Sequence, residues 1–270
     1  SSSSSNVANV GGSTIIGTGS IFGARLVKPL MPLANYFHSA TLGVDYKNFK
    51  DSLTLNKPGG FQTPIAYTPF LAQYSGSFRT EQSLTSFDLG AHFSVRGLGN
   101  DQAQFENKRY LAQANYFYLS SDVRFNHDLP LGMQLRSHFT GQVADSPLIS
   151  NEQFSLGGAQ SVRGYFETMA LADDGVFGSL ELYSPHMASV DWDYLNNLKF
   201  MAFIDAGKGW IQNPLPGNVN GNTLAGAGFG MNFQMWKHFI GVLDVGFPFL
   251  SLGPVHSGDP RMDFNIATEF

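Results

Sequence analysis

Apolar and polar residues alternate along most of this chain. In 85–95, Phe87, Leu89, Ala91, Phe93 and Val95 share one face, and Ser86, Asp88, Gly90, His92 and Ser94 share the other. In 131–143, Met133, Leu135, Phe139 and Val143 oppose Gln134, Arg136, His138, Thr140 and Gln142. The stretch 117–126 sets Phe117, Leu119, Val123 and Phe125 against Tyr118, Ser120, Asp122, Arg124 and Asn126. A period of two held over roughly ten residues predicts β-strands, and no segment competes as an amphipathic helix. About eleven such segments can be counted, at 14–28, 37–49, 64–78, 83–96, 116–127, 131–145, 174–184, 197–208, 222–234, 238–248 and 262–270. Residues 1–13 lack the alternation and read as a Ser/Gly-rich loop or a cut edge, leaving 14–270 as one β unit.

A soluble sandwich also alternates, so the solvent is decided by other features. Soluble strands usually run about five or six residues, whereas these run nearer ten, the length that crosses a bilayer at a tilt. Connections alternate between short turns and long loops rich in Gly, Pro, Asn and Asp, the plan of an outer-membrane barrel. The charges expected inside strands (Asp45, Lys47, Asp88, Arg96, Asp122, Arg124, Arg136, Glu181, Asp205) all sit on the polar face of their own strand. A charge facing lipid at mid-bilayer costs about 2–4 kcal/mol, so this segregation suits a polar lumen and an apolar outside. Tyr36, Phe37, Tyr116, Trp210, Trp236 and Phe247, near strand ends, are expected to form interfacial girdles. Trp192 and Tyr194 fall in a longer turn. The fold expected is all-β: an antiparallel transmembrane β-barrel in a bacterial outer membrane, with about eleven strands in this sequence.

Composition narrows the function. The chain has 270 residues, no cysteine and a formal net charge of −5. Thiol catalysis, thiolate metal sites and disulfides are excluded, and the acidic balance argues against a nucleic-acid partner. No metal site or cofactor is expected: the seven histidines are scattered singly, and Gly226–Gly230 is a glycine-rich strand with no helix after it. No standard catalytic constellation is present, so the chain is not expected to be an enzyme. His92 and Ser94, two apart on one face, are a formal candidate for a barrel hydrolase.

The informative stretch is 154–182, with Val162-Arg163-Gly164-Tyr165 at its centre, followed by Phe203-Ile204-Asp205-Ala206-Gly207. Phe203, Asp205 and Gly207 are spaced by two and so face the lumen together. A lumen carboxylate is costly without a partner, and an arginine fork supplies one. Taken alone, these segments also fit a solvated loop and an ordinary strand with one inward aspartate.

Together and in this order, they resemble the C-terminal barrel of two-partner secretion transporters, of the haemolysin/haemagglutinin secretion-activation type, within the barrel-assembly superfamily. In that superfamily a VRG(F/Y) tetrad tips a long loop that folds into the lumen, and its arginine reaches an F-x-D-x-G strand. The resemblance implies that loop 146–173 enters the lumen. It implies that Val162–Tyr165 form its tip motif, that Phe203, Asp205 and Gly207 form the inner-wall motif, and that Arg163 pairs with Asp205. Glu181 is a second candidate partner of Arg163, and Gly226, Gly228 and Gly230 are expected to leave room for the loop. Phe270, ending an amphipathic last strand, resembles a C-terminal assembly signal.

The implied function is translocation of an unfolded, β-rich exoprotein from periplasm to cell surface. The implied partners are that exoprotein, outer-membrane lipid and the barrel-assembly machinery during biogenesis. Family barrels have sixteen strands after POTRA domains, and outer-membrane strand numbers are even. The sequence is therefore expected to be the C-terminal part of a larger barrel. A barrel-assembly insertase or a patatin-fused barrel is the alternative within the superfamily. A passive porin or a small barrel enzyme is the alternative of another class.

Overall fold

The computed structural model describes residues 2–10, 13–54, 61–187, 194–236 and 238–268. The alternating segments form one antiparallel sheet, in which twelve strands follow one another in chain order. They are β1 (Ser2–Val10), β2 (Ser13–Pro29), β3 (Tyr36–Thr54), β4 (Pro69–Arg79), β5 (Ser83–Ser94) and β6 (Phe117–Asp128). They continue as β7 (Gln134–Ala144), β8 (Asp174–Tyr183), β9 (Leu195–Trp210), β10 (Gly221–Met235), β11 (Phe239–Pro248) and β12 (Arg261–Thr268). Two short strands, Phe61–Gln62 and Ile65–Tyr67, pair beside β3. No pairing joins β1 to β12 among the described residues. No helix among them is long and apolar enough to cross a membrane, which has no bearing on a chain that crosses with strands.

All eleven expected segments fall on strands, with 64–78 divided at Thr68. Where 1–13 is expected as a Ser/Gly-rich loop or a cut edge, a twelfth strand replaces the loop: β1 runs along β2 at the edge of the sheet, from Ser2 opposite Ser20 to Val10 opposite Ser13. Its serines carry no apolar alternation, so backbone pairing with a long neighbour makes the strand rather than side-chain pattern. A short helix, α1 (Gln102–Lys108), also departs from expectation. Asp101 caps it by accepting from the Ala103 amide at 3.0 Å, and it buries Phe105. Seven residues are too few to print a period of 3.6 in the sequence.

The two faces differ as the alternation requires. Along β9, Met201, Phe203, Asp205, Gly207 and Gly209 are buried, whereas Phe200, Ala202, Ile204, Ala206, Lys208 and Trp210 are exposed. The exposed face continues through Leu42, Leu89, Leu119, Phe139, Val143 and Phe229, an apolar band that suits lipid. The opposite, inner face carries the polar residues and is covered by two long loops. Loop 95–116, with α1, packs Phe105, Ala112, Ala114 and Tyr116 against Ile65, Tyr67, Tyr118, Leu148 and Ile149. Tyr116 is therefore core and not girdle, and Arg96 lies just beyond β5, where it bonds Gln102 and Asn115. Trp192 and Phe270 lie outside the described residues.

Candidate functional site

The second covering loop, between β7 and β8, is a hairpin. Phe154–Leu156 pairs with Ala170–Ala172 to make its stem. Beyond the stem the chain turns tightly, and Gly164 adopts φ 92°, a conformation that strains any residue with a side chain. The tip lies on the inner faces of β8 to β11. Val162 is fully buried among Leu156, Tyr165 and Leu224. The Tyr165 hydroxyl donates toward the Leu250 carbonyl at 2.8 Å, with the Ala225 carbonyl at 3.0 Å, and accepts from the Leu250 amide at 3.2 Å.

Arg163 is 5% exposed and meets Asp205, which is 0% exposed. Its Nε donates to Oδ2 at 2.8 Å and its Nη2 to Oδ1 at 2.8 Å, a two-pronged pair. Its backbone amide adds a third bond to Oδ2 at 3.1 Å. Nη1 lies 2.7 Å from Glu181 Oε1, Nη2 donates to the Ser179 hydroxyl at 3.1 Å, and Asp244 Oδ2 stands 3.9 Å away. The guanidinium carbon is 3.5 Å from the Phe203 ring centre, which supplies a cation–π face. Burial alone would weaken the guanidinium's hold on its proton; the Asp205 hydrogen bonds and the charges of Asp205, Glu181 and Asp244 outweigh it and raise the pKa. This arrangement pins the hairpin to the strand wall by a charge pair shielded from water.

The structure thus brings Val162, Arg163, Gly164, Tyr165, Phe203, Asp205, Gly207 and Glu181 to one place. The three wall glycines part company. A Cβ at Gly226 would lie 2.8 Å from the Arg163 carbonyl oxygen, so this glycine faces the hairpin backbone. Gly228 instead makes room for the Phe203 ring, and Gly230 for Asp244 and Met201. Gly246, not singled out in the sequence, does the work expected of them: its Cβ would lie 2.6 Å from the Gly164 amide nitrogen. Asp244 also joins the site, and its signal in the sequence is a lone charge inside the apolar run 239–250.

Two further anchors hold the hairpin near its stem. Glu152, buried, accepts from Lys47 Nζ at 2.6 Å, the Tyr67 hydroxyl at 2.5 Å and the Tyr118 hydroxyl at 3.0 Å. Asp173, fully buried, takes a two-pronged pair from Arg109, with amide bonds from Leu148 at 2.9 Å and Gln212 at 2.8 Å. The candidate hydrolase pair does not assemble this way: His92 hydrogen-bonds Ser120 at 3.0 Å, and Ser94 accepts from Asn100.

A long antiparallel wall with an apolar outside, holding an arginine-tipped hairpin against its inner face, is the architecture of the wall of a transmembrane β-barrel. The family model described as haemolysin secretion/activation protein ShlB/FhaC/HecB matches residues 65–233, and the chain belongs to that family. Among solved structures, it is similar to CdiB from Escherichia coli, with a TM-score of 0.79 and 18% identity over 98% of this chain and 48% of that one. CdiB from Acinetobacter baumannii follows at 0.70 and 15%, over 95% of this chain and 43% of that one. BamA from Haemophilus ducreyi, lacking POTRA domains 1–3, superposes at 0.64 and 14%, over 96% and 59%. At these identities the structures show a shared fold. The chain spans about half the length of the solved structures it matches. No curated protein sequence matches it.

Proposed function

We propose that this chain is the greater part of the wall of an outer-membrane pore that passes an unfolded, β-rich exoprotein from periplasm to cell surface. Family membership supports the transport class. The observation that carries the reading is the Arg163–Asp205 pair, which ties hairpin 154–172 across the space a cargo would use. In this reading Val162 and Tyr165 seat the tip, Phe203 and Asp205 receive it, and Gly207, Gly226 and Gly246 leave room for it. Lipid covers the exposed apolar band, and the barrel-assembly machinery inserts the strands. The energy comes from folding of the cargo outside.

The test is secretion of the cognate exoprotein by cells carrying Arg163→Ala or Asp205→Ala in the native protein, at matched amounts in the outer membrane. Loss of secretion with the barrel still assembled is expected in both. Undiminished secretion in both sinks the assignment of the hairpin.

A further inference from the structure

Arg136 on β7 and Glu181 on β8 stand directly opposite one another. Opposite residues on one face of an antiparallel pair are close enough for an ion pair. They do not make one. The Glu181 carboxylate turns to the hairpin, with one oxygen 2.7 Å from Arg163 Nη1 and the other accepting from the Tyr183 hydroxyl at 2.9 Å. Arg136 spends its Nε on Gln134 at 2.8 Å and lays its guanidinium over the Tyr183 ring, 4.3 Å from the centre. Both residues border one cavity of about 550 Å³, roofed by Gln160 and Ser161 of the hairpin tip.

We infer that Arg136 is the second partner of Glu181: when the tip leaves the wall, the carboxylate passes from Arg163 to Arg136. This rests on the reading of the hairpin as the moving part of a secretion pore. Withdrawal of Arg163 strips Asp205, Glu181 and Asp244 of their shared cation in one step, and like charges left facing each other repel. A waiting cation on the neighbouring strand offsets part of that cost. Tyr183 prearranges the exchange, since its hydroxyl already holds the carboxylate and its ring already carries the guanidinium. Transfer then needs a side-chain rotation and no backbone movement. Arg124, which lines the cavity with Arg136 and Arg163, is committed to Asp122 at 3.1 Å. Arg136 is thus a positioning residue, acting on the hairpin through Glu181.

These 270 residues hold no cysteine, so Val162→Cys, with any cysteine elsewhere in the native protein replaced by serine, places a single thiol at a buried position of the tip. In the native protein in liposomes, without cargo, the rate of maleimide labelling at this thiol scales with the fraction of time the tip is withdrawn. Arg136→Gln is expected to slow labelling about threefold, the worth of a partly exposed ion pair. Arg136→Lys, which keeps the charge, is expected to restore most of the rate. In a Glu181→Gln background, Arg136→Gln is expected to change nothing. Labelling that is unchanged or faster in Arg136→Gln, or slowed equally without Glu181, overturns the inference. A merely structural Arg136 would loosen the wall and speed labelling in both backgrounds. No cargo enters this measurement, so its failure leaves the transport reading standing, while secretion indifferent to Arg163 removes that reading by itself.

Discussion

Arg163→Ala and Asp205→Asn remove opposite halves of one buried pair, and the structure says they are not equivalent. Arg163→Ala deletes the cation that serves Asp205, Glu181 and Asp244 together, leaving three carboxylates facing one another. Breaking a buried ion pair from one side costs about 3–5 kcal/mol, because the survivor stays buried without a partner. At about 1.4 kcal/mol per factor of ten, the docked hairpin should lose roughly 10²- to 4 × 10³-fold in population. In Asp205→Asn, Arg163 keeps Glu181 at 2.7 Å and the Phe203 ring, and the amide oxygen still accepts a hydrogen bond. What it loses is the charge assistance in two side-chain bonds and one backbone bond, about 2 kcal/mol, or roughly thirtyfold. Limited proteolysis of the hairpin in reconstituted protein, read as an initial rate, separates the two variants from each other and from wild type. Equal protection in Arg163→Ala and wild type refutes the pinning argument, and greater exposure in Asp205→Asn than in Arg163→Ala refutes the ranking.

The remaining expectations can be read in the same way. Gly246→Ala drives a Cβ into the Gly164 backbone, which has no flexible side chain to move aside, so the tip should undock by about 1–3 kcal/mol. Gly178→Ala meets only the Phe139 ring at 3.1 Å, and hairpin protection should hardly change. Asp173→Asn leaves Arg109 without its charge partner and should free the stem and loop 95–116 together, seen as faster amide exchange in both segments. Ile204→Arg, on the exposed face of β9 between buried Phe203 and Asp205, puts a charge toward lipid at about 2–4 kcal/mol. Its assembled yield should fall well below that of Ser77→Arg on β4, which shares the polar inner face with Ser75 and its partner Asp88, and equal yields would mean the faces are misassigned.

Much of this was legible in the chain itself, for a physical reason. A strand with one face in lipid and the other in a lumen must alternate, so β9 prints its two faces letter by letter and Asp205 falls on the inner one. The Arg163 partnership was readable because the two motifs lie in short, recognisable runs. The stem anchors were not. Glu152 meets Lys47 across 105 positions and Asp173 meets Arg109 across 64, with no period or motif to link them. The glycines were hidden for a similar reason. The height at which the tip lies along the wall is a long-range property with no local signal, so the sequence could name inner-face glycines but not tell that Gly226 and Gly246 meet the hairpin backbone while Gly228 and Gly230 do not. β1 was missed because serine-rich backbone can pair without a side-chain pattern to announce it.

The three anchors of the hairpin divide the labour unevenly. Arg163 is tied to strands of the wall, whereas Glu152 and Asp173 are tied largely to loop 95–116, Tyr67 and the tops of strands, where two aromatic-lined loops close over the lumen. Breaking the tip contact leaves the other two intact. The hairpin is thus held at two heights, with its stem fastened at the long-loop end and its tip fastened farther down the wall. On the proposed reading as a secretion pore, it is a lever with its fulcrum at the long-loop end, and a cargo arriving from the short-turn side would push on the tip first.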